Sequence, residues 1–238
     1  MTDPIIEAGT PVRPRISGSV SAPANTAGTS LIIERLGLVD YMPTWKQMRE
    51  TTLARTADEP DQLWLLQHTP VYTLGLAARA AHLPRTANQI PVVKSDRGGQ
   101  ITYHGPGQII VYTLVDLRRL GIGVRQLVRL LEQSVIDLLK QYKVAARGSE
   151  QAPGVYVSDA KIAALGLRIR NGCSYHGLSL NVDMDLAPFA DIDPCGYPGL
   201  GVSQLRDLGI DEDINTLGEK LLASLQANLW GQQPMETR

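Results

Sequence analysis

The sequence contains neither a long apolar run nor an excess of charge of one sign. A membrane-spanning helix needs about 18 or more consecutive apolar residues, and no such run occurs in the 238 residues. The 23 basic and 24 acidic side chains leave a net charge of −1, which disfavours a surface for nucleic acid or for anionic lipid. We therefore predict a soluble protein that binds neither a membrane nor a nucleic acid.

Cysteine is scarce, and several chemical signatures are missing. The chain has 2 cysteines and 4 histidines without a Cys-x-x-Cys pair, which disfavours a structural zinc site. It also lacks the phosphate-binding motif Gly-x-x-x-x-Gly-Lys-Ser/Thr. Residues 1–30 have no apolar signal core, and they carry Asp3 and Glu7, which transit peptides avoid. We expect a disordered leader there and reduced thiols in a cytoplasmic protein.

Residues 31–232 are predicted to form one domain, followed by a tail at 233–238. Helical spacing of apolar residues predicts helices over Leu38–Met48, Val124–Leu139 and Ile214–Leu229. The predicted strands are Leu31–Leu36, Gln62–Gln67, Val71–Leu74, Pro91–Lys94, Ile109–Val115, Gly154–Ser158, Lys161–Ile169 and Ser174–Val182. Turn pairs such as Asn171-Gly172 make the last three antiparallel. The pattern indicates an α+β fold with a mixed, largely antiparallel sheet flanked by helices.

The most informative segment is Arg97-Gly-Gly-Gln-Ile-Thr-Tyr-His-Gly-Pro-Gly-Gln108. Its glycines let backbone amides approach a bound group closely, and Pro106 fixes the path of the chain between two of them. Polar side chains lie among these glycines. We interpret the segment as one loop that joins two strands and wraps a ligand.

Cys195 and Lys161 form the main chemical hypothesis. Cys195 lies in Asp193-Pro-Cys-Gly196, a turn-rich frame that favours an exposed thiol, although an inert buried cysteine is the alternative. Lys161 begins an apolar strand, where it is either a solvated edge residue or part of a pocket shared with Cys195. In the second case its ammonium would favour the thiolate.

The other cysteine and the histidines carry weaker signals. Cys173 and His176 lie three apart on a predicted strand and should face opposite sides, so we do not expect them to form a catalytic or metal-binding pair. His68 and His82 are expected to be loop residues. His104 and His176, each followed by glycine, are the better candidates for a site.

Four motifs in this order resemble the octanoyltransferases of lipoate biosynthesis. They are Arg97–Gln108, Lys161-Ile-Ala-Ala-Leu-Gly166, Cys173-Ser-Tyr-His-Gly-Leu-Ser-Leu-Asn-Val182 and Asp193-Pro-Cys-Gly196, and the similarity spans roughly residues 31 to 229. The resemblance implies the fold of biotin and lipoate ligases. It also implies an enzyme that moves an octanoyl or lipoyl group from acyl carrier protein to a lysine of a lipoyl domain.

The resemblance assigns roles to individual residues. It makes Cys195 the nucleophile that carries the acyl group as a thioester and Lys161 its proton-transfer partner. His176, which glycine follows, is a possible accessory residue. The residues that the resemblance assigns to substrate binding are Arg97, Gly98, Gly99, Gln100, Ile101, Thr102, Tyr103, His104, Ala164, Leu165, Gly166, Gly177, Leu178 and Ser179. We further expect Ile162, Leu165 and Leu178 to line a tunnel for the acyl chain.

The implied partners are octanoyl-acyl carrier protein as donor and, as acceptors, lipoyl domains of oxo-acid dehydrogenase complexes and the glycine cleavage H protein. Because acyl carrier proteins are acidic, basic residues should surround the entrance to the site. The candidates are Arg118, Arg119, Arg168 and Arg170. We expect a monomer that uses neither a metal nor another cofactor.

Two alternatives to the transferase stay open. One is an ATP-dependent lipoate or biotin ligase of the same fold, and the other is a non-catalytic module that binds an acyl chain. Exchange between two thioesters is close to energetically neutral and needs no nucleotide, which favours the transferase. The tetrahedral oxyanion could be stabilised by backbone amides of the glycine-rich segment or of Cys195-Gly196, and the sequence does not choose between them.

Overall fold

The computed structural model describes residues 31–79, 83–86, 89–192 and 201–231. The expected leader and tail, as well as His82 and Cys195, lie outside these residues. The described strands form a seven-stranded sheet and a three-stranded sheet. Strands and helices are numbered below in chain order.

The larger sheet is mixed but mostly antiparallel. In spatial order its strands are β1 (Leu31–Val39), β2 (Asp61–His68), β6 (Gln108–Leu114), β10 (Cys173–Asn181), β9 (Ala160–Arg170), β8 (Gly154–Val157) and β7 (Arg147–Gly148). β1 and β2 run parallel, and the other neighbours are antiparallel. The β9–β10 hairpin turns through Asn171 and Gly172, both with positive φ, as a type I′ turn requires.

The smaller sheet has β3 at its centre. Its strands, in spatial order, are β4 (Val92–Lys94), β3 (Val71–Leu74) and β5 (Ile101–His104). β5 lies in the middle of the glycine-rich segment. The prediction that Arg97–Gln108 is one continuous loop is therefore wrong, because Ile101–His104 hydrogen-bond to β3 as a strand.

In the part of the chain that the structure describes, three long helices cover the larger sheet from both sides, and two short helices accompany them, of which the second packs against the smaller sheet. They are α1 (Tyr41–Ala54), α2 (Leu117–Leu120), α3 (Val124–Gln141), α4 (Ala187–Ala190) and α5 (Ile214–Trp230). The three long helices were predicted from apolar spacing, and α1 carries Pro43 in its first turn, where proline is tolerated. None of the helices in the described ranges has the length and apolar character needed to span a membrane.

Side chains of the central strands point alternately to the two faces of the larger sheet, and each face has its own apolar core. On β2, Leu63 packs with the apolar faces of α3 and α5, whereas Trp64 packs with Met48 of α1. On β6, Val111 and Tyr112 divide between the two sides in the same way. A strand buried on both faces is expected to be apolar throughout. The α+β prediction is confirmed, and the candidate site lies on the α1 side.

Candidate functional site

A cavity opens on the α1 side of the larger sheet, between β9, β10 and the glycine-rich segment. Gly166 and Gly177, paired across β9 and β10, form part of its floor. Lys161 lies at one end of β9 and His176 pairs with Leu167 toward the other end, about 20 Å away at ~3.3 Å per residue. The cavity is therefore elongated along the strands.

Arg97 supports the wall of the cavity. Its guanidinium is buried; Nε donates to Thr73 Oγ1 at 2.9 Å and Nη2 donates to the Thr73 carbonyl at 2.5 Å. Nη1 donates to the Gly98 carbonyl at 2.9 Å. The side chain thus joins β3 to the start of the glycine-rich segment.

Lys161 is a buried amine in the cavity wall. It is 4% exposed, so the interpretation as a solvated edge residue is wrong. Its Nζ donates to the Pro153 carbonyl at 3.2 Å and lies 5.1 Å from the centroid of the Tyr156 ring. Its backbone N–H donates to the Gly201 carbonyl at 2.8 Å, and its carbonyl accepts from the Ser203 N–H at 3.0 Å. Both main chain and side chain of Lys161 are held in place.

At the other end, Asp96 and His176 form a hydrogen-bonded pair. Asp96 Oδ1 lies 2.9 Å from His176 Nε2 and accepts from Trp45 Nε1 at 2.8 Å, while Oδ2 accepts from the Tyr175 hydroxyl at 2.5 Å. Burial raises the pKa of Asp96, but the hydrogen bonds from His176, Tyr175 and Trp45 outweigh this and lower its pKa overall. Because a carboxylate only accepts, Nε2 of His176 carries the proton.

The backbone of His176 breaks the alternation of β10. Leu178 and Leu180 pack on the α3 and α5 side, and alternation would place His176 on that side as well. Instead His176 adopts a φ of 61°, and its ring stacks on Tyr175 at 5.1 Å. A left-handed conformation is unfavourable for a non-glycine residue. His176 lies about 20 Å along the strands from Lys161, so the two side chains are not in contact. The Cys173 thiol lies near the Asn171 carbonyl.

His104 lines the cavity, and His68 lies behind its wall, next to Tyr112. The prediction that His68 is a loop residue is wrong: it ends β2, is fully buried, and bonds through Nδ1 to the Val39 carbonyl at 2.9 Å and through Nε2 to the Tyr112 hydroxyl at 2.7 Å. Val39 reaches it because β1 pairs with β2. His104 Nδ1 lies 2.7 Å from Gln108 Oε1.

Burial keeps this part of the cavity uncharged. It lowers the pKa of His68 to about 4 and that of His104 to about 3. It also raises the pKa of Tyr41 to about 12 and that of Tyr112 well above its usual value. At neutral pH all four rings are therefore neutral, which suits a cavity that holds an apolar chain.

We expect these histidines to make the fold acid-sensitive. The unfolded chain binds protons near the ordinary pKa of 6.5, whereas folded His68 and His104 bind them only near 4 and 3. Between pH 6.5 and 5 the unfolded state therefore holds more protons, so the free energy of unfolding falls by about 1 kcal/mol per pH unit for each histidine. Urea unfolding at a series of pH values measures this slope.

His68→Gln is the matched variant for that measurement. Glutamine keeps a polar group near Tyr112 and does not titrate in this range. We expect its stability to fall with acid about 1 kcal/mol per pH unit less steeply than that of the unaltered protein. Equal slopes in the two proteins would contradict the argument.

Comparison with known proteins now defines the family. The model of the lipoyl protein ligase A/B catalytic domain matches residues 40–226. The octanoyltransferase of Aromatoleum aromaticum is 58% identical over 205 residues, which cover 86% of this chain and 88% of that protein. The chain belongs to the octanoyltransferase family. The octanoyltransferase of Azoarcus sp. (strain BH72) is 57% identical over 203 residues, 85% of this chain and 89% of that protein.

A solved structure shows the same fold. Lipoate-protein ligase A bound with ATP superposes with a TM-score of 0.66 at 15% identity, covering 83% of this chain and 84% of that chain. This likeness supports the lipoate ligase-like fold of the octanoyltransferase family. The protein is an acyl-transferring enzyme by its family membership.

Most residues that the resemblance assigns to substrate binding line the cavity of this octanoyltransferase. Those that do are Arg97, Gly99, Gln100, Ile101, Thr102, His104, Ala164, Leu165, Gly166, Gly177, Leu178 and Ser179, together with Lys161 and His176. Gly98 and Tyr103 do not line it. Gly98 donates its N–H to the Leu167 carbonyl at 2.9 Å, and Tyr103 packs with Tyr72 and Phe189.

Sequence reasoning missed several residues of the wall. They are Tyr41, Ile110, Tyr112, Ala163, Asn181, Phe189 and Val202. Side chains alternate between the two faces of a strand. Once one residue of β6 or β10 is known to face the cavity, this alternation predicts that Ile110, Tyr112 and Asn181 face it too. Ile162 was expected in the tunnel, but it is fully buried in the core on the α3 side. Leu165 and Leu178 do line the cavity, although their side chains pack with the same core.

The basic residues proposed for carrier recognition differ in their surroundings. Arg118 and Arg119 form ion pairs with Asp116 and Asp61 at 3.1 and 2.5 Å, so they stabilise the start of α2. Arg170 at the end of β9 is exposed. Arg168 is half-buried.

Cys195 lies outside the described residues, so its place beside Lys161 stays a prediction. The described chain reaches Ile192, which packs with Tyr103 and Phe189, and resumes at Gly201, whose carbonyl accepts from Lys161. Both flanks of the segment that contains Cys195 thus contact the site. Among the described residues, no group of three or more His, Cys, Asp or Glu side chains is arranged to bind a metal ion.

Proposed function

We propose that this enzyme transfers an octanoyl or lipoyl group from acyl carrier protein to a lysine of a lipoyl domain, through a thioester on Cys195. The observation that carries the proposal is the buried amine of Lys161 in the wall of an elongated cavity whose histidine and tyrosine rings His104, Tyr41 and Tyr112 are neutral. Identity of 57–58% to octanoyltransferases supports the choice of acyl group. The proposed location is the cytoplasm, where thiols stay reduced.

In the first step the Cys195 thiolate attacks the carbonyl carbon of the carrier thioester. A new carbon–sulfur bond forms, the tetrahedral oxyanion collapses, and the bond to the carrier sulfur breaks. The Lys161 ammonium stabilises the attacking thiolate and gives a proton to the departing carrier thiolate. The acyl chain lies along β9 and β10, where Ile110, Ala164 and Ile101 offer apolar contacts.

In the second step the amine of the acceptor lysine attacks the acyl-Cys195 carbonyl. A carbon–nitrogen bond forms and the carbon–sulfur bond to Cys195 breaks. Lys161, neutral after the first step, takes a proton from the attacking amine and returns the site to its starting charge. The product amide is more stable than the thioester, so this step drives the transfer forward.

Intact mass spectrometry tests the covalent intermediate. The protein is mixed with octanoyl-acyl carrier protein without ATP, and we expect one octanoyl group on the enzyme that disappears when a lipoyl domain is added. The adduct should be absent from Cys195→Ala. Cys173→Ala is the matched control, because Cys173 is buried away from the cavity, and it should keep the adduct.

The same samples test the two alternatives. An ATP-dependent ligase would modify the lipoyl domain from free octanoate and ATP, and Cys195→Ala would stay active. A non-catalytic module would bind the acyl chain reversibly and show no covalent adduct. Either result would replace the transferase proposal.

A further inference from the structure

A buried carboxylate approaches the candidate site from the opposite side of the sheet. Glu132 belongs to α3, is 7% exposed, and accepts from the backbone N–H of Gly154 through Oε1 at 2.8 Å. A buried carboxylate is costly unless it is paired or hydrogen-bonded. The hydrogen bond from Gly154, the first residue of β8, is therefore part of what stabilises this buried charge.

The peptide group that Glu132 contacts is the one that holds Lys161. The carbonyl of Pro153 and the N–H of Gly154 belong to the same peptide unit. Lys161 Nζ donates to that carbonyl at 3.2 Å, while Glu132 accepts from that N–H. The carboxylate and the ammonium thus lie at the two ends of one peptide dipole, and each interaction polarises the unit in the direction that strengthens the other.

Two glycines, Gly154 and Gly148, leave room for Lys161 and for Glu132. Gly154 has a φ of 152°, and a Cβ there would lie 2.7 Å from the Ala163 carbonyl oxygen and 3.1 Å from Lys161 Nζ. A Cβ at Gly148 would lie 2.7 Å from Glu132 Oε2. Larger residues at these positions would displace the carboxylate or the ammonium.

Among the described residues, an aromatic ring and a guanidinium also lie near the ammonium. The Tyr156 ring lies 5.1 Å from Lys161 Nζ, and its hydroxyl donates to the Ala152 carbonyl at 2.8 Å. The Arg147 guanidinium lies 5.3 Å from the centroid of the same ring. The ring favours a cation, whereas Arg147 adds a like charge nearby. Arg147 is itself paired with Asp159 at 3.6 Å, and Glu132 adds a second, buried negative charge.

We propose that Glu132 is a positioning residue, which fixes the Lys161 ammonium and favours its charged form through the Pro153–Gly154 peptide group. Its importance for acyl transfer rests on the proposed function, because Lys161 must be charged to stabilise the Cys195 thiolate. The contact itself is a property of the fold, independent of the substrate.

NMR titration of the Lys161 side chain tests the proposal. The Lys161 resonance is assigned by its loss in Lys161→Arg and is followed with pH in the full chain. We expect Glu132→Gln, which keeps an oxygen acceptor but removes the charge, to lower the titration midpoint by about one pH unit. Because the ammonium is then held less firmly, acyl-enzyme formation should slow several-fold, with little change in the KM for the carrier.

Glu150→Gln is the matched control. Glu150 lies close in sequence to Pro153 and forms an exposed ion pair with Arg129, so the same charge is removed without a route to Lys161. Its Lys161 midpoint should equal that of the unaltered protein. Gly148→Ala gives a second variant that keeps Glu132 and displaces its carboxylate, and we expect a shift in the same direction.

The outcomes separate this inference from the proposed function. An unchanged midpoint in both Glu132→Gln and Gly148→Ala, or an equal shift in Glu150→Gln, would overturn the role of Glu132 even if the octanoyl adduct forms. A lowered midpoint confined to the Glu132 and Gly148 variants supports it, even if Cys195 proves not to carry the acyl group.

Discussion

Replacing Lys161 with methionine should lower the rate of octanoyl transfer about 10³-fold, since a positioned proton-transfer group contributes roughly 10²- to 10⁴-fold. Methionine fills a similar volume in the cavity wall but carries no proton and no charge. The Cys195 thiol would then lose its counter-charge and ionise at higher pH. Rapid-quench measurement of acyl-enzyme formation from octanoyl-acyl carrier protein gives the rate directly.

Lys161→Arg separates charge from proton transfer. Arginine keeps a positive group but does not give up its proton in proteins. We expect its thiol to stay reactive toward an alkylating reagent at neutral pH, as in the unaltered protein, while transfer to the lipoyl domain is slow. If Lys161→Met transferred octanoate within a few-fold of the unaltered rate, the assigned role of Lys161 would be wrong.

Gly177→Ala should destabilise the fold by about 3 kcal/mol, at the upper end of overpacking effects. A Cβ at Gly177 would lie 2.0 Å from the Val111 carbonyl oxygen, a backbone atom of the neighbouring strand. Because β6 and β10 are hydrogen-bonded in the centre of the sheet, neither strand can move without breaking pairing. In a chain of this size the loss corresponds to a decrease in Tm of about 10 °C, measurable by thermal unfolding.

Gly123→Ala is the control for that experiment. Gly123 precedes α3, and a Cβ there would have nothing within 4 Å. Its Tm should stay within about 2 °C of the unaltered value. A similar decrease in both variants would mean that the close approach of β6 and β10 is not the cause.

Local sequence patterns predicted much of the fold. Helical spacing of leucines places α3 and α5, and the Asn171-Gly172 pair places the β9–β10 hairpin, because both signals depend only on near neighbours in the chain. The glycine-rich segment was recognised as part of a site, but β5 within it was missed. Pairing with β3 makes Ile101–His104 a strand, and that partner is distant in sequence.

The candidate site was predicted in composition but not in arrangement. The motifs named Lys161 and most of the cavity wall. They did not show that Asp96 holds His176, that His68 is buried under Tyr112, or that Glu132 contacts the peptide group that holds Lys161. Each of these pairs joins residues from different elements, so no local pattern contains it.

The sequence by itself determined the α+β class, the main helices and strands, and the set of residue types available for acyl transfer. Only the tertiary structure decided which of them face the cavity and which are charged. The reason is physical: alternation and capping act over a few residues, whereas burial, hydrogen-bond partners and pKa depend on groups that the folded sheet brings together from far along the chain.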